Sequence, residues 1–159
     1  YATDFYDQLE NKILGALRAG FIVLADRYIF TLMARDVVRG ADQEYMESVY
    51  SMAIVPDKVF FLNTDTEVLV DRTLESKQMM AYWESGMDLG ISRSWHESFR
   101  VYQERIAKEF SRMSEKYGFV HIDGNQDVKS VTAELKSNIA RLLLDKEFVS
   151  ESQLEDESF

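Results

Sequence analysis

Asp26, Arg27 and Tyr28 follow directly on the apolar run Phe21-Ile22-Val23-Leu24-Ala25. A guanidinium presents its donors in a rigid planar fork, which matches a phosphate through two parallel hydrogen bonds. A carboxylate next to it can orient that guanidinium, or a water on a divalent cation. The five apolar residues, with no polar interruption, read as a strand buried on both faces of a parallel sheet. The carboxyl ends of such strands are where open α/β sheets bind ligands. The same two charges also read as a plain ion pair closing a strand. On these residues alone both readings stand.

The elements that must position these residues can be read from hydrophobic period and from punctuation. Thr3 to Ala19 has Phe5, Leu9, Ile13 and Ala16/Leu17 at helical spacing, with Gly20 at its end. The strand at about 21–25 follows, and then a short helix, Thr31 to Arg39, closed by Gly40. Asp42 is placed to cap a helix reaching Ile54. Pro56-Asp57 turns into a second strand at about 58–62, and Thr64-Asp65-Thr66-Glu67 has the form of a capping box for a helix through about Leu74. Glu75 to Ser94 shows no clear period and is expected to be a loop with mobile parts. Phe99, Tyr102, Ile106, Phe110, Met113 and Tyr117 step by three and four along a helix from Trp95, ended by Gly118. A third strand is expected at about 119–122 and a last helix from Asp127 to Leu144. Strands alternating with helices predict an α/β fold, a parallel sheet flanked by helices.

Composition narrows the function classes. The chain has 159 residues, one domain's worth, and its 46% hydrophobic content suffices for a core. The absence of cysteine excludes disulfides and thiolate metal sites. Its histidines, His96 and His121, are isolated: His121 reads as a structural histidine within a strand, and the two do not make a metal site. No apolar run approaches a membrane span. Tyr1-Ala2-Thr3-Asp4 does not read as a secretory signal, so a cytoplasmic protein without a membrane partner is expected. The net charge of −10 argues against a nucleic-acid polymer as partner. Much of the excess sits in the stretch from Asp145 to Phe159, expected to be a solvated tail or linker after a domain spanning 1–144.

Around Asp26 the chain resembles the thymidylate kinase family of nucleoside monophosphate kinases. That family carries a strand, then D-R-[YH], two variable residues, a small hydroxyl residue and an alanine three further on. Here the match is Asp26-Arg27-Tyr28, Thr31 and Ala34. It continues through Arg39-Gly40, Pro56-Asp57, the strand Val59-Phe60-Phe61-Leu62, the helix start Thr64-Asp65-Thr66-Glu67, and Arg72. Tyr82-Trp83-Glu84-Ser85-Gly86 is similar to the family's lid and its aromatic-Glu motif, and Phe119-Val120-His121-Ile122-Asp123 to its last strand. The resemblance runs from about Asp4 to Leu144 and implies a P-loop kinase-like fold with a lid at about 75–94. It implies phosphoryl transfer from ATP, with Mg2+, to a (deoxy)nucleoside monophosphate, and a possible homodimer packed through helices. Arg27 would hold the acceptor phosphate, with Asp26 orienting it. Phe5, Tyr28, Thr31, Arg35 and Asp36 would form the acceptor site. Arg72, Lys77, Glu84 and Arg93 would serve the donor side and the lid.

The chain departs from the family in two ways. No Gly-x-x-x-x-Gly-Lys-[Ser/Thr] phosphate loop occurs in it. In the family that loop follows a strand upstream of everything present here, so a native protein with a further N-terminal portion is expected. The base-reading positions also differ. Phe5 stands where the family has an Arg, and Arg35-Asp36 where many bacterial members have Tyr-Gln. Both changes argue against a preference for thymine. The other reading, a kinase-derived domain that binds nucleotides or a partner without catalysis, draws on the absent phosphate loop and the altered base site.

Overall fold

A computed structural model describes residues 1–75, 82–146 and 148. Lys77, Met79, Met80 and most of the acidic tail lie outside the described residues. The fold is mixed α/β and mostly helical, around a parallel two-stranded sheet. The first helical run comprises α1 (Ala2–Gln8), a π-helical turn (Leu9–Ile13) and α2 (Leu14–Arg18). Then come α3 (Ile29–Val38), α4 (Gln43–Val49), β1 (Phe60–Asn63) and α5 (Thr66–Glu75). A single 3-10 turn (Met87–Leu89) leads to the long α6 (Trp95–Tyr117), β2 (Val120–Asp123) and α7 (Val128–Asp145).

Local rules account for most of these boundaries. The Asp42 carboxylate accepts from the Tyr45 amide at 2.8 Å and starts α4, which ends at Val49, short of the expected Ile54. The Asp127 carboxylate accepts from the Lys129 and Ser130 amides and starts α7. Each such cap is worth about 1 kcal/mol. Gly118, with φ at 66°, ends α6 in the left-handed conformation that a side chain resists.

The sheet corrects one expectation. β1 and β2 run parallel, with Phe60 opposite Val120 and Asn63 opposite Asp123. Residues 21–25, expected to be the first strand, form none. Phe21 is 67% exposed, Ile22 62% and Leu24 81%. A strand exists only with a ladder partner, and among the described residues no strand lies alongside this segment. The apolar run records a capacity for burial; it does not supply the neighbour that would realise it.

The core sits where α3 packs on α6. Phe30, Met33 and Ala34 of α3 cluster with Met113 of α6 and with Phe119, and Phe5 and Leu9 join them from the first helical run. Phe5 meets Tyr6, Tyr28 and Tyr50 edge-on at 5.1, 5.2 and 5.7 Å between ring centres. Each such side chain contributes roughly 1.5–3 kcal/mol by leaving water. His121 fits its structural reading: its Nε2 lies 2.6 Å from the Ser114 hydroxyl, and its ring meets Phe61 edge-on.

Further along α6, Ser98, Phe99 and Tyr102 are buried beneath the segment 82–90. That segment has no helical period because its burial comes from single tertiary contacts. The Ser98 hydroxyl donates to the Ser85 carbonyl at 3.0 Å. Gly86 lies flat on Tyr102: a Cβ there would come 2.7 Å from the Tyr102 Cβ, and its φ of 69° already disfavours a side chain.

Two predictions concern stability. Gly86→Ala combines steric overlap with left-handed strain and should cost about 2 kcal/mol or more. A melting temperature unchanged from wild type would mean that the segment does not rest on Tyr102. The second concerns Glu47 of α4, which accepts from Lys116 of α6 at 2.7 Å and lies 3.9 Å from Arg112. The Lys116 bond holds the Glu47 carboxyl below its ordinary value near 4.5, and Glu47 holds the Lys116 ammonium above its own. A depressed carboxyl contributes stability at and above its ordinary value and loses it as pH falls through the lowered one. Lys116→Met should therefore flatten the loss of stability below about pH 4.5 in denaturant titrations. An acid slope equal to that of wild type would show that the contact carries no linkage.

Candidate functional site

Helix α3 turns about 100° per residue. Phe30, Met33 and Ala34 form its buried stripe. One step around lie Thr31 and Arg35, then Arg39, and then Leu32 and Asp36. Two cavities follow that order. The larger, about 350 Å³, has Arg27, Thr31 and Arg35 on one wall, with Thr73 of α5 and Tyr102 and Gln103 of α6 opposite. The smaller, about 240 Å³, is lined by Leu32, Asp36, Arg39 and Trp83. Arg35 and Glu84 line both. The Arg35 Nη2 lies 3.7 Å from the Glu84 Oε1, so this ion pair stands between the two spaces.

Arg27 is the only non-glycine residue with positive φ, at 65°, among the described residues. A non-glycine residue held there stores backbone strain of order 1 kcal/mol. Its guanidinium is exposed and lines the larger cavity. The Asp26–Arg27 ion pair that the sequence left open is not formed. Among the described residues neither side chain has a salt bridge or hydrogen bond. Both charges are therefore open to a ligand.

The other expected site residues fall into three groups. Thr31 and Arg35 line the larger cavity with Arg27, and Asp36 lines the smaller one. Glu84, expected on the donor side, pairs with Arg35, expected on the acceptor side. Phe5 and Tyr28 line neither cavity. Phe5 is in the aromatic core, and the Tyr28 hydroxyl donates to the Ile54 carbonyl at 2.9 Å, tying that loop to the start of α3. Burial pushes the Tyr28 phenol up from its ordinary value. Arg72 also stands apart. Its guanidinium donates to the carbonyls of Gly124, Asn125 and Gln126 at 2.7, 3.2 and 3.1 Å, which locks the turn after β2. Arg93 is exposed and lines neither cavity. Lys77 lies outside the described residues.

Arg39 is the residue whose role the sequence reading missed. Its Nε donates to Asp88 at 3.0 Å, one terminal nitrogen to the Tyr102 hydroxyl at 2.5 Å and the Arg35 carbonyl at 3.2 Å, and the other to the Trp83 carbonyl at 2.7 Å. Its guanidinium also lies 5.1 Å from the centre of the Tyr102 ring. Burial disfavours the charge, but the bonds to Tyr102 and Asp88 outweigh that, so its pKa stays above an arginine's ordinary value. Arg39 thereby pins the segment carrying Glu84. The available signal was its spacing: Arg35 and Arg39 stand four residues apart, on one face of a helix.

Among the described residues no three of His, Cys, Asp and Glu gather as a cation cage, and no helix is long and apolar enough to cross a membrane. The arrangement offers instead two guanidinia, Arg27 and Arg35, and the Thr31 hydroxyl around a half-open space, with the Glu84 carboxylate beside Arg35, and suits an anionic group of phosphate size.

Comparison with known proteins supplies the family. Residues 1–135 match the family model described as thymidylate kinase. A probable thymidylate kinase 2 of Saccharolobus solfataricus is 36% identical over 137 residues, 86% of this chain and 64% of that protein. A thymidylate kinase of Brachyspira hyodysenteriae is 26% identical over 140 residues, 87% of this chain and 62% of that protein. A probable thymidylate kinase of Thermococcus kodakarensis is 23% identical over 144 residues, 90% and 63%. The chain thus spans less than two thirds of the length of each of these relatives. The family model covers most of the chain, and the match to the first of these relatives does too, which shows that the chain belongs to the thymidylate kinase family.

Proposed function

We propose that this chain supplies the acceptor side of a nucleoside monophosphate kinase, which moves the γ-phosphoryl of ATP to a (deoxy)nucleoside monophosphate. The observation that carries the reading is Arg27: a left-handed, unpaired guanidinium on the wall of the larger cavity, beside Thr31. Family membership and the names of the relatives support it.

Phosphoryl transfer asks a protein for positioning and charge neutralisation. Arg27 would grip the acceptor phosphate through two N–H donors and leave its third oxygen free to attack. Thr31 would hydrogen-bond the same group. Magnesium is commonly held by one or two carboxylates together with substrate phosphates. The open Asp26 carboxylate, adjacent to Arg27, fits that modest donor set. Magnesium bound with ATP supplies neutralisation of the transferred charge. The segment 82–90, packed on Tyr102 and pinned by Arg39, would wall the acceptor off from water.

Two predictions test the reading in the full-length protein. Arg27→Ala should weaken monophosphate binding by about ten- to a hundredfold, the value of a charge-assisted bidentate contact. Calorimetric titration giving equal affinities would overturn the assignment. The second concerns the base. Phe5 lies in the core and offers no hydrogen bond, and an ionised Asp36, lining the smaller cavity, can only accept one. A base with an exocyclic amino group is therefore favoured over thymine. In a panel of monophosphates, dTMP should not lead. A dTMP advantage of more than about tenfold in kcat/KM, roughly 1.4 kcal/mol, would mean that Asp36 does not read the base.

A further inference from the structure

Arg35 and Arg39 leave the same face of α3 one turn apart and are held very differently. Among the described residues Arg39 makes four side-chain hydrogen bonds and a ring contact, whereas the Arg35 side chain has a single ion-pair contact, to Glu84 at 3.7 Å. That distance exceeds a hydrogen bond, and the two side chains are 32% and 45% exposed. Pairs of this kind contribute little, because water already solvates both partners. We infer that the Arg35–Glu84 pair is exchangeable: an anionic phosphate entering the larger cavity takes the Arg35 guanidinium away from Glu84, so that Arg35 becomes the second phosphate-binding cation after Arg27.

Charge and placement both favour the exchange. A phosphate monoester carries close to two negative charges at neutral pH. The larger cavity presents it with two guanidinia, Arg27 and Arg35, on either side of Thr31. A planar guanidinium meets phosphate with two short, charge-assisted bonds, a stronger contact than the one it leaves. Arg39 makes the exchange local. It fixes the Trp83 carbonyl and Asp88, so the backbone that carries Glu84 stays in place while the Arg35 side chain turns. Because the pair lines both cavities, its opening joins the two spaces, and Leu32, Asp36 and Trp83 then face the remainder of a ligand held by its phosphate.

This inference rests on the acceptor-site reading above, and its test separates the two. Glu84→Gln removes the competing carboxylate and keeps the shape. In the full-length protein it should bind dCMP and dTMP about two- to fivefold tighter than wild type, the value of a weak exposed ion pair. Arg35→Gln should bind both about tenfold more weakly, and adding Glu84→Gln to it should change nothing further. Glu84→Ala, which does not rely on a glutamine fitting the site, should move affinity in the same direction as Glu84→Gln. Inorganic phosphate should follow the same order, since the exchange needs only the anion, while deoxycytidine and thymidine should bind all variants alike. A purely structural ion pair would give weaker binding on loss of Glu84. Unchanged or weakened monophosphate binding in both Glu84 variants, with wild-type binding still dependent on Arg27, overturns the exchange alone. A wild-type protein that binds no monophosphate overturns the acceptor-site reading itself.

Discussion

Helix α3 is packed on α6 through the stripe Phe30, Met33 and Ala34, and that packing fixes the direction of the charged groups that α3 carries into the site. A helix has one rotation that buries three such residues. Once they are buried, Thr31 and Arg35 point into the larger cavity and Leu32 and Asp36 line the smaller one. A turn of one residue, about 100°, would carry Arg35 away from Glu84 and bring Thr31 towards the core. The apolar contact therefore does more than stabilise: it is the reference from which the polar geometry is measured. Arg39 extends that reference to the segment 82–90, which has no apolar stripe of its own long enough to fix it.

The charge of the site also differs from that of the whole chain. A net charge of −10 says little about a cavity walled by Arg27 and Arg35. Near a partly enclosed space, a few oriented guanidinia outweigh acids scattered over a solvated surface, because water screens the latter. The acidic total is a statement about solubility and about polymers the chain repels. It does not conflict with binding a small anion.

How much of this could be read from the sequence follows from how local each cause is. Asp42, Asp127 and Gly118 act on their own backbone, and each was legible from a residue or two. The stripe of α6, from Phe99 through Met113, was legible because a period averages over many positions. The segment 21–25 forms no strand because five apolar residues state a preference that only a neighbour can satisfy. Phe5 and Tyr28, expected at the acceptor site, line neither cavity; Phe5 is buried in the core and Tyr28 packs edge-on against it, 5.2 Å apart, since large aromatic rings gain most from burial. The role of Arg39 escaped because its partners, Trp83, Asp88 and Tyr102, lie 44 to 63 residues away along the chain. The larger cavity draws three expected residues together, Arg27, Thr31 and Arg35, because Thr31 and Arg35 share one face of α3 and Arg27 lies two residues before its first turn.

The parallel pairing of β1 and β2 has a consequence for the order in which the chain folds. Phe60 and Val120 are opposite each other although sixty positions separate them. Bringing such distant points together costs loop-closure entropy before any ladder bond rewards it. Helix α6 lowers that cost, since a 23-residue rod already spans much of the intervening chain and ends two residues before β2. Forming the helices before the strands pair is therefore the order of lower entropic cost. Arg72, which reaches from α5 to the three carbonyls after β2, can engage only when that meeting has occurred. Its three bonds act as a latch on that long-range contact.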